Sequence, residues 1–287
     1  MTSTTGSHAP SRDAVRRAAV ITHGKTGVIG PALERLETLA REHGVELLLP
    51  AEELAKHGRA DGHASLDTAD VVVVLGGDGT MLRALNRFLG TGIPVVGVNF
   101  GRVGFLSAIS REAMESGLAR VFRGEFEVLE LPTLAVDVAG GTRVAVNDVV
   151  VRSADVGRMV ELAWAIRGED LGTQPCDGMI VSTPVGSTAY NLSNGGPVLV
   201  WGLEAMAITF VAPHSLHARP LVVPKDAELA IVNRTVDIGI VVLVDGHVVA
   251  ELGPAADVAV RIDEQRASLG VLSDRSFFRR YRETFAT

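Results

Sequence analysis

An α/β domain followed by an all-β domain is the fold that three features of the sequence predict. In the N-terminal part, short apolar strands alternate with amphipathic helices, the order that builds a parallel sheet with helices on its faces. The run DVVVVL (70–75) is apolar without alternation, as a strand covered on both sides must be. After about residue 125 the strong helical patterns stop, and short strand patterns separated by turns follow one another.

With 287 residues, the chain is long enough for two domains of ordinary size. Residues 1–16 read as a polar, mobile tail. The α/β domain is expected over 17–124. It begins with the strand AAVIT (18–22) and the helix PALERLETLAREHG (31–44), with Pro31 near its start and Gly44 past its end. VELLL (45–49) and DVVVVL are the next strands, MLRALNRFL (81–89) the next helix, and IPVVGVN (93–99) the strand after it. The all-β domain is expected over 125–272, from TLAVDVAG, TRVAVNDVVVRS, MVELAWAIRG, AMAITFVAP, ELAIVN, GIVVLVDGHVVAEL and DVAVRI. The segment 273–287 holds SFFRRYRETF, a closing helix able to return to the first domain.

Composition narrows the function. Hydrophobic residues make up 47% of the chain and aromatics only 5%, so a large and mainly aliphatic core is available. A formal net charge of −7 argues against a general nucleic-acid binder. Cys176 is the only cysteine, which excludes an intrachain disulfide and a cysteine-based zinc site. The N-terminus lacks the apolar stretch of a signal peptide, and no window reaches the ~18 uninterrupted apolar residues of a spanning helix. A soluble cytoplasmic protein without a membrane partner is expected.

Two glycine-bearing stretches compete as phosphate sites. AVITHGKT (19–26) matches a loosened P-loop with Ala19 in place of the first glycine. Val20 and Ile21 belong to a strand there, leaving too little loop to wrap a phosphate, although Lys25 would sit at that strand's carboxyl end. Gly76-Gly77-Asp78-Gly79-Thr80 is the more specific signal. Its glycines can take positive φ and turn backbone N–H groups into a concavity, and the following helix adds the positive end of its dipole. Asp78 or Thr80 could instead be a plain N-cap. An aspartate among phosphate-binding glycines makes chemical sense if the acceptor is a hydroxyl. A carboxylate can accept the hydroxyl's proton while backbone donors and Mg²⁺ hold the donor phosphates. Asp78 is the candidate base; Gly76, Gly77, Gly79 and Thr80 are the candidate donor loop.

LGGDGTML (75–82) is followed by VNFGRVGFL (98–106), VNDVVV (146–151), CDGMIVSTPVGSTAYNLSNGGPV (176–198), APHSLHARPLVVP (212–224) and VDGH (244–247). Six blocks in this order resemble the bacterial NAD kinase family, and the resemblance runs from about residue 18 through nearly the whole chain. GGDGT also occurs in lipid kinases, which usually follow it with Asn-Glu; here Met81-Leu82-Arg83 follow.

The resemblance implies a Rossmann-like first domain and a β-sandwich second domain, with NAD held between them and ATP or polyphosphate as phosphate donor. It implies a divalent cation, Mg²⁺ or another, carried with the donor rather than a resident metal, and a homodimer or homotetramer. Asp78 falls on the family's aspartate at the 2′-hydroxyl of the adenosine ribose, with Gly79 beside it and Arg83 on a nucleotide contact. Asn147 and Asp148 match an Asn-Glu pair that binds ribose hydroxyls. Thr188, Ala189, Tyr190, Asn191, Leu192 and Ser193 match the segment around the adenine. Arg158, Asp177, Ala212 and His247 align with further dinucleotide positions. Asp148 replaces the usual glutamate, His247 a glutamine, Ala218 an asparagine and Val185 a threonine, and Pro175 stands where a polar residue is frequent. A small-alcohol or lipid kinase and a non-catalytic NAD(H) sensor are the alternatives.

Overall fold

The computed structural model describes residues 13–24, 26–58, 65–101, 104–138, 140–274 and 276–286. In chain order these form β1 (Arg17–Thr22), α1 (Thr26–His43), β2 (Glu46–Leu48), α2 (Ala51–Lys56), β3 (Val71–Gly76), α3 (Asp78–Arg87), β4 (Val95–Asn99), β5 (Ile109–Ser110) and α4 (Met114–Phe122). Then follow β6 (Glu127–Val138), β7 (Gly141–Ala145), β8 (Asp148–Ser153), β9 (Val160–Ile166), β10 (Glu169–Cys176) and β11 (Gly178–Ser182). A 3-10 turn (Gly186–Thr188) leads to α5 (Tyr190–Ser193), β12 (Ala205–Val211), β13 (Leu221–Pro224), β14 (Leu229–Asn233) and β15 (Ile240–Val244). The chain ends with β16 (His247–Leu252), β17 (Asp257–Val271) and α6 (Phe277–Phe285). Two compact units result, one of residues up to Glu130 together with Ala267 onward, the other of Leu131–Arg266. The chain thus rejoins its first unit inside β17, earlier than the helical segment after 272.

In the first unit the strands β2, β1, β3 and β4 are parallel neighbours, with Val72–Gly76 of β3 in register with Val95–Asn99 of β4. Every residue of β3 is buried, which is why its sequence shows no alternation. Leu33 and Leu36 of α1 and Leu118 and Phe122 of α4 join Val73 and Leu75 in one core. The helix α1 begins at Thr26, so Pro31 lies inside it rather than at its start. Within α4, a Cβ on Gly117 would come within 2.8 Å of the Ile109 side chain, so the glycine is what lets this helix close on β5. Strand β1 ends at Thr22, and only residues 23–25 separate it from α1. That connection is too short for a P-loop; Lys25 lies outside the described residues.

The second unit is a sandwich. One antiparallel sheet runs β13-β12-β11-β8-β15-β16; the other carries β10, β9, β14 and the first part of β17, with β6 and β7 beside it. Alternate residues point into a shared core: Val149 and Val151, Met206, Ile208 and Phe210, and Ile240, Val242 and Val244 from one sheet, and Leu229, Ile231, Val258 and Val260 from the other. The run TRVAVNDVVVRS is two strands, β7 and β8, broken at Val146-Asn147. That break is held in shape by contacts described below.

Candidate functional site

In the first unit the candidate residues gather at the junction of β3 and α3. Gly77 caps α3 without a side-chain bond, and Asp78 is the helix's first residue. The Asp78 side chain does not cap its own helix. Its Oδ2 accepts from the Phe105 amide at 2.9 Å, and its Oδ1 from the Leu106 amide at 3.3 Å. Gly104 makes this approach possible, because a Cβ there would overlap the Asp78 carboxylate. Burial pushes the carboxyl above its ordinary value, while the Phe105 and Leu106 amides and the Arg280 charge pull against that. The result is a fixed carboxylate with a raised proton affinity, the requirement for a general base.

The three glycines do not act through positive φ, and one of them acts through space. None of Gly76, Gly77 and Gly79 has positive φ, and Gly77 is extended at φ −103°. Instead, a Cβ on Gly76 would lie 2.6 Å from the Thr80 side chain, which is buried beneath it. Gly77 faces Gly101, and a Cβ on Gly79 would meet nothing within 4 Å. Gly76, Gly77, Gly79 and Thr80 line a cavity of about 490 Å³ together with His23, Val28, Ile29, Arg83, Phe100 and Gly101. The first amides of α3 lack helical carbonyl partners and supply donors at this end.

Arg83 reaches that cavity from the second turn of α3. Its Nη2 donates to the Thr22 carbonyl at 2.7 Å and lies 3.6 Å from Glu53. Glu53 is buried yet well compensated. It accepts from the Thr22 amide and hydroxyl, both at 2.8 Å, and pairs with Lys56 at 2.6 Å. Glu53 was missed in the sequence because α2 is too short to announce itself.

The second unit presents the break between β7 and β8. Asp245, in the hairpin between β15 and β16, accepts from the amides of Val146, Asn147 and Asp148 at 2.9, 2.7 and 3.2 Å. VDGH is therefore more than a turn: it shapes this loop. The Asn147 Oδ1 is buried with no hydrogen-bond partner among the described residues. Asp148 is buried at 6% exposure, and its carboxyl is pushed up to about 7, first by burial and then by the Asp245 charge. A buried acceptor without a partner thus lies beside a buried carboxyl, and an unpaired buried acceptor is rare in a folded protein.

Asp148 carries a pH prediction. The fold favours its neutral form, so this group's contribution to stability is complete below its ordinary value of 3.8 and is lost as pH rises toward and through about 7. Asp148→Asn removes that dependence. The gap in ligand-free melting temperature between Asp148→Asn and the native chain is expected to widen in the variant's favour from pH 5 to pH 8. Parallel curves would contradict it.

Thr183 and Gly186 lock the adjoining segment to this loop. Thr183 Oγ1 donates to the Val146 carbonyl at 2.7 Å, and its amide to the Asn147 carbonyl at 2.9 Å. Thr188 and Ala189 are half-buried, Tyr190 is 45% exposed, Leu192 is half-buried and Ser193 is exposed. Asn191 lies deeper than these neighbours. It is fully buried, its amide donates to the Ser187 and Pro197 carbonyls at 3.0 Å, and its Oδ1 accepts from Thr209 at 2.7 Å. Its side chain clamps the fold. Arg158 is paired with Asp237 at 2.8 Å, so its guanidinium is engaged at the surface. Asp177 and His247 are exposed, and Ala212 adopts φ +44°, an unusual conformation for a residue with a Cβ. Among the described residues no group of three or more His, Cys, Asp or Glu side chains is placed to hold a metal ion. No described helix is long and apolar enough to cross a membrane.

A fixed carboxylate at a helix start beside a glycine-lined cavity is what a kinase acting on a hydroxyl requires. Comparison with known proteins narrows the class. Residues 40–126 match the ATP-NAD kinase N-terminal domain, and residues 146–269 match the ATP-NAD kinase C-terminal domain. The NAD kinase of Cupriavidus pinatubonensis is 35% identical over 278 residues, 93% of this chain and 84% of its own. That of Geotalea daltonii is 34% identical over 259 residues, covering 87% and 90%. The solved NAD kinase of Archaeoglobus fulgidus in complex with ATP is 28% identical, with a TM-score of 0.74 over 94% of this chain and 97% of its own. Yeast NADH kinase complexed with NADH shares the fold, with a TM-score of 0.83 over 96% of this chain and 88% of its own at 21% identity. The chain belongs to the NAD kinase family.

Proposed function

We propose that this chain transfers the terminal phosphoryl group of ATP, or of inorganic polyphosphate, to the 2′-hydroxyl of the adenosine ribose of NAD, giving NADP. The observation that carries the reading is the Asp78 carboxylate, turned away from its own helix and oriented by two amides beside a glycine-lined cavity. Asp78 accepts the hydroxyl proton as the ribose oxygen attacks the terminal phosphorus. The bond from that phosphorus to the bridging oxygen breaks, and the rest of the donor leaves.

The amides at the start of α3, with Gly76, Gly77, Gly79 and Thr80 around them, support donor phosphate binding in the cavity. Arg83, braced by Thr22 and Glu53, adds positive charge at its wall. Asn147 and Asp148 are the ribose ligands in this reading. Thr188, Ala189, Tyr190, Leu192 and Ser193 surround the base, and Asn191 holds that segment in shape. Asp177, Arg158, Ala212 and His247 complete the dinucleotide contacts, Arg158 only on releasing Asp237. A divalent cation supplies charge neutralisation of the donor phosphates when bound. In this reading the cation is carried with the donor. A cytoplasmic homodimer or homotetramer belongs to the same reading. Formation of NADP from NAD, ATP and Mg²⁺ by the purified chain tests it.

A further inference from the structure

The carboxylate of Asp78 is held by a loop, and the loop is held by the far end of the chain. Arg280 of α6 is 5% exposed, and its Nη1 donates to the carbonyls of Phe105 and Ser107, the latter at 2.8 Å. The amides of Phe105 and Leu106, in the same short stretch of loop, are the ones that grip Asp78. Ring packing fixes the same joint: Phe105 lies 5.9 Å from Phe277 and 5.6 Å from Phe285, both on α6. Ser276 caps the helix by accepting from the Arg279 amide at 3.3 Å. A buried guanidinium spent on two loop carbonyls is a costly way to staple a loop, since leucine packing would serve stability as well.

We infer that Arg280 is a positioning residue for the phosphoryl transfer: by holding the Phe105 and Ser107 carbonyls it fixes the two amides that aim the Asp78 carboxylate, and it places a positive charge behind that carboxylate. The inference rests on Asp78 being the general base. The electrostatic part has a definite sign. Burial favours the protonated, inactive form of Asp78, and the Arg280 charge opposes it. Other charged groups nearby are engaged elsewhere. Arg83, on Asp78's own helix, turns to Thr22 and Glu53. Glu283 of α6, which lines a cavity of about 200 Å³ with Asn99, Gly104, Ser107 and Arg280, is paired with Arg279 at 3.0 Å.

The test compares Arg280→Gln, which loses the charge, with Arg280→Lys, which keeps it, alongside Asp78→Asn. For each, kcat against pH, both KM values and the melting temperature are measured on one preparation of the full chain. Arg280→Gln is expected to lower kcat by about 10–100-fold through misalignment of the base, with KM for NAD and ATP within about threefold of the native values. The acidic limb of its kcat profile should move up by about one pH unit as the opposing charge disappears. Arg280→Lys should keep the native limb and recover at least a tenth of native kcat, whatever both do to melting temperature. If Arg280→Gln does not fold, the lysine variant's limb decides: native position supports the inference, and a shifted limb overturns it. Native kcat and limb in Arg280→Gln, with Asp78→Asn inactive, would overturn the role of Arg280 alone. Native kcat in Asp78→Asn would overturn the base, and this inference with it.

Discussion

Asp78→Asn is expected to lower kcat by about 10²–10⁴-fold while NAD still binds. Asparagine keeps the size of the side chain, and its carbonyl oxygen can still accept from one of the Phe105 and Leu106 amides. What it loses is the capacity to take a proton. The native carboxyl is suited to that task because burial raises its proton affinity, while the two amides and Arg280 oppose that rise. Since Asp78 makes no cap to α3, the variant's helix should remain intact, and melting temperature should change little. Steady-state kinetics and NAD titration on one preparation check this. An Asp78→Asn enzyme with more than half of native kcat would remove the assigned role.

The second large effect is expected at Gly186, which no chemical role would single out. A methyl group there would overlap the Asn147 carbonyl and approach the Asn147 Cα at 2.7 Å. These are backbone atoms, pinned by Asp245 on one side and by the Thr183 amide on the other, so they cannot yield cheaply. Overpacking of this kind costs about 1–3 kcal/mol or more, and here it falls on the turn that orients Asn147 and Asp148. Gly186→Ala is therefore expected to raise KM for NAD by about 10–100-fold, with a smaller change in KM for ATP, whose cavity is lined by the first unit. Equal rises in both constants, or none, would contradict the ribose-binding role of this turn.

The parts of this account that were legible in the sequence are those with a local signature. The unbroken valine run of β3 followed by GGDGT declared a buried parallel strand, a helix start and a carboxylate together. Short strand patterns separated by turns, with no strong helix among them, declared the all-β domain. The helices α2 and α4 escaped, and the start of α1 was misplaced. In α4 the missing side chain of Gly117 is what makes room for Ile109. Pro31 reads as a helix start, yet α1 begins five residues earlier. The supports of the site escaped almost entirely, because they are contacts to backbone amides and carbonyls. Asp78 to Phe105 and Leu106, Asp245 to Val146, Asn147 and Asp148, and Arg280 to Phe105 and Ser107 span long sequence separations. Backbone partners carry no residue-type signal, so nothing in either segment advertises the other. The glycines of GGDGT do not use positive φ: Gly76 makes room for Thr80, and Gly77 lies against Gly101.

The central claim, that NAD is phosphorylated on its adenosine ribose by this chain, is tested most directly by product formation. Purified protein is incubated with NAD, ATP and Mg²⁺, and NADP is read with a strictly NADP-dependent dehydrogenase, with Asp78→Asn as the matched control. The account predicts NADP accumulating with time and enzyme concentration in the native sample and at most a few per cent of that rate in the variant. NAD bound tightly with no NADP above the blank would contradict it.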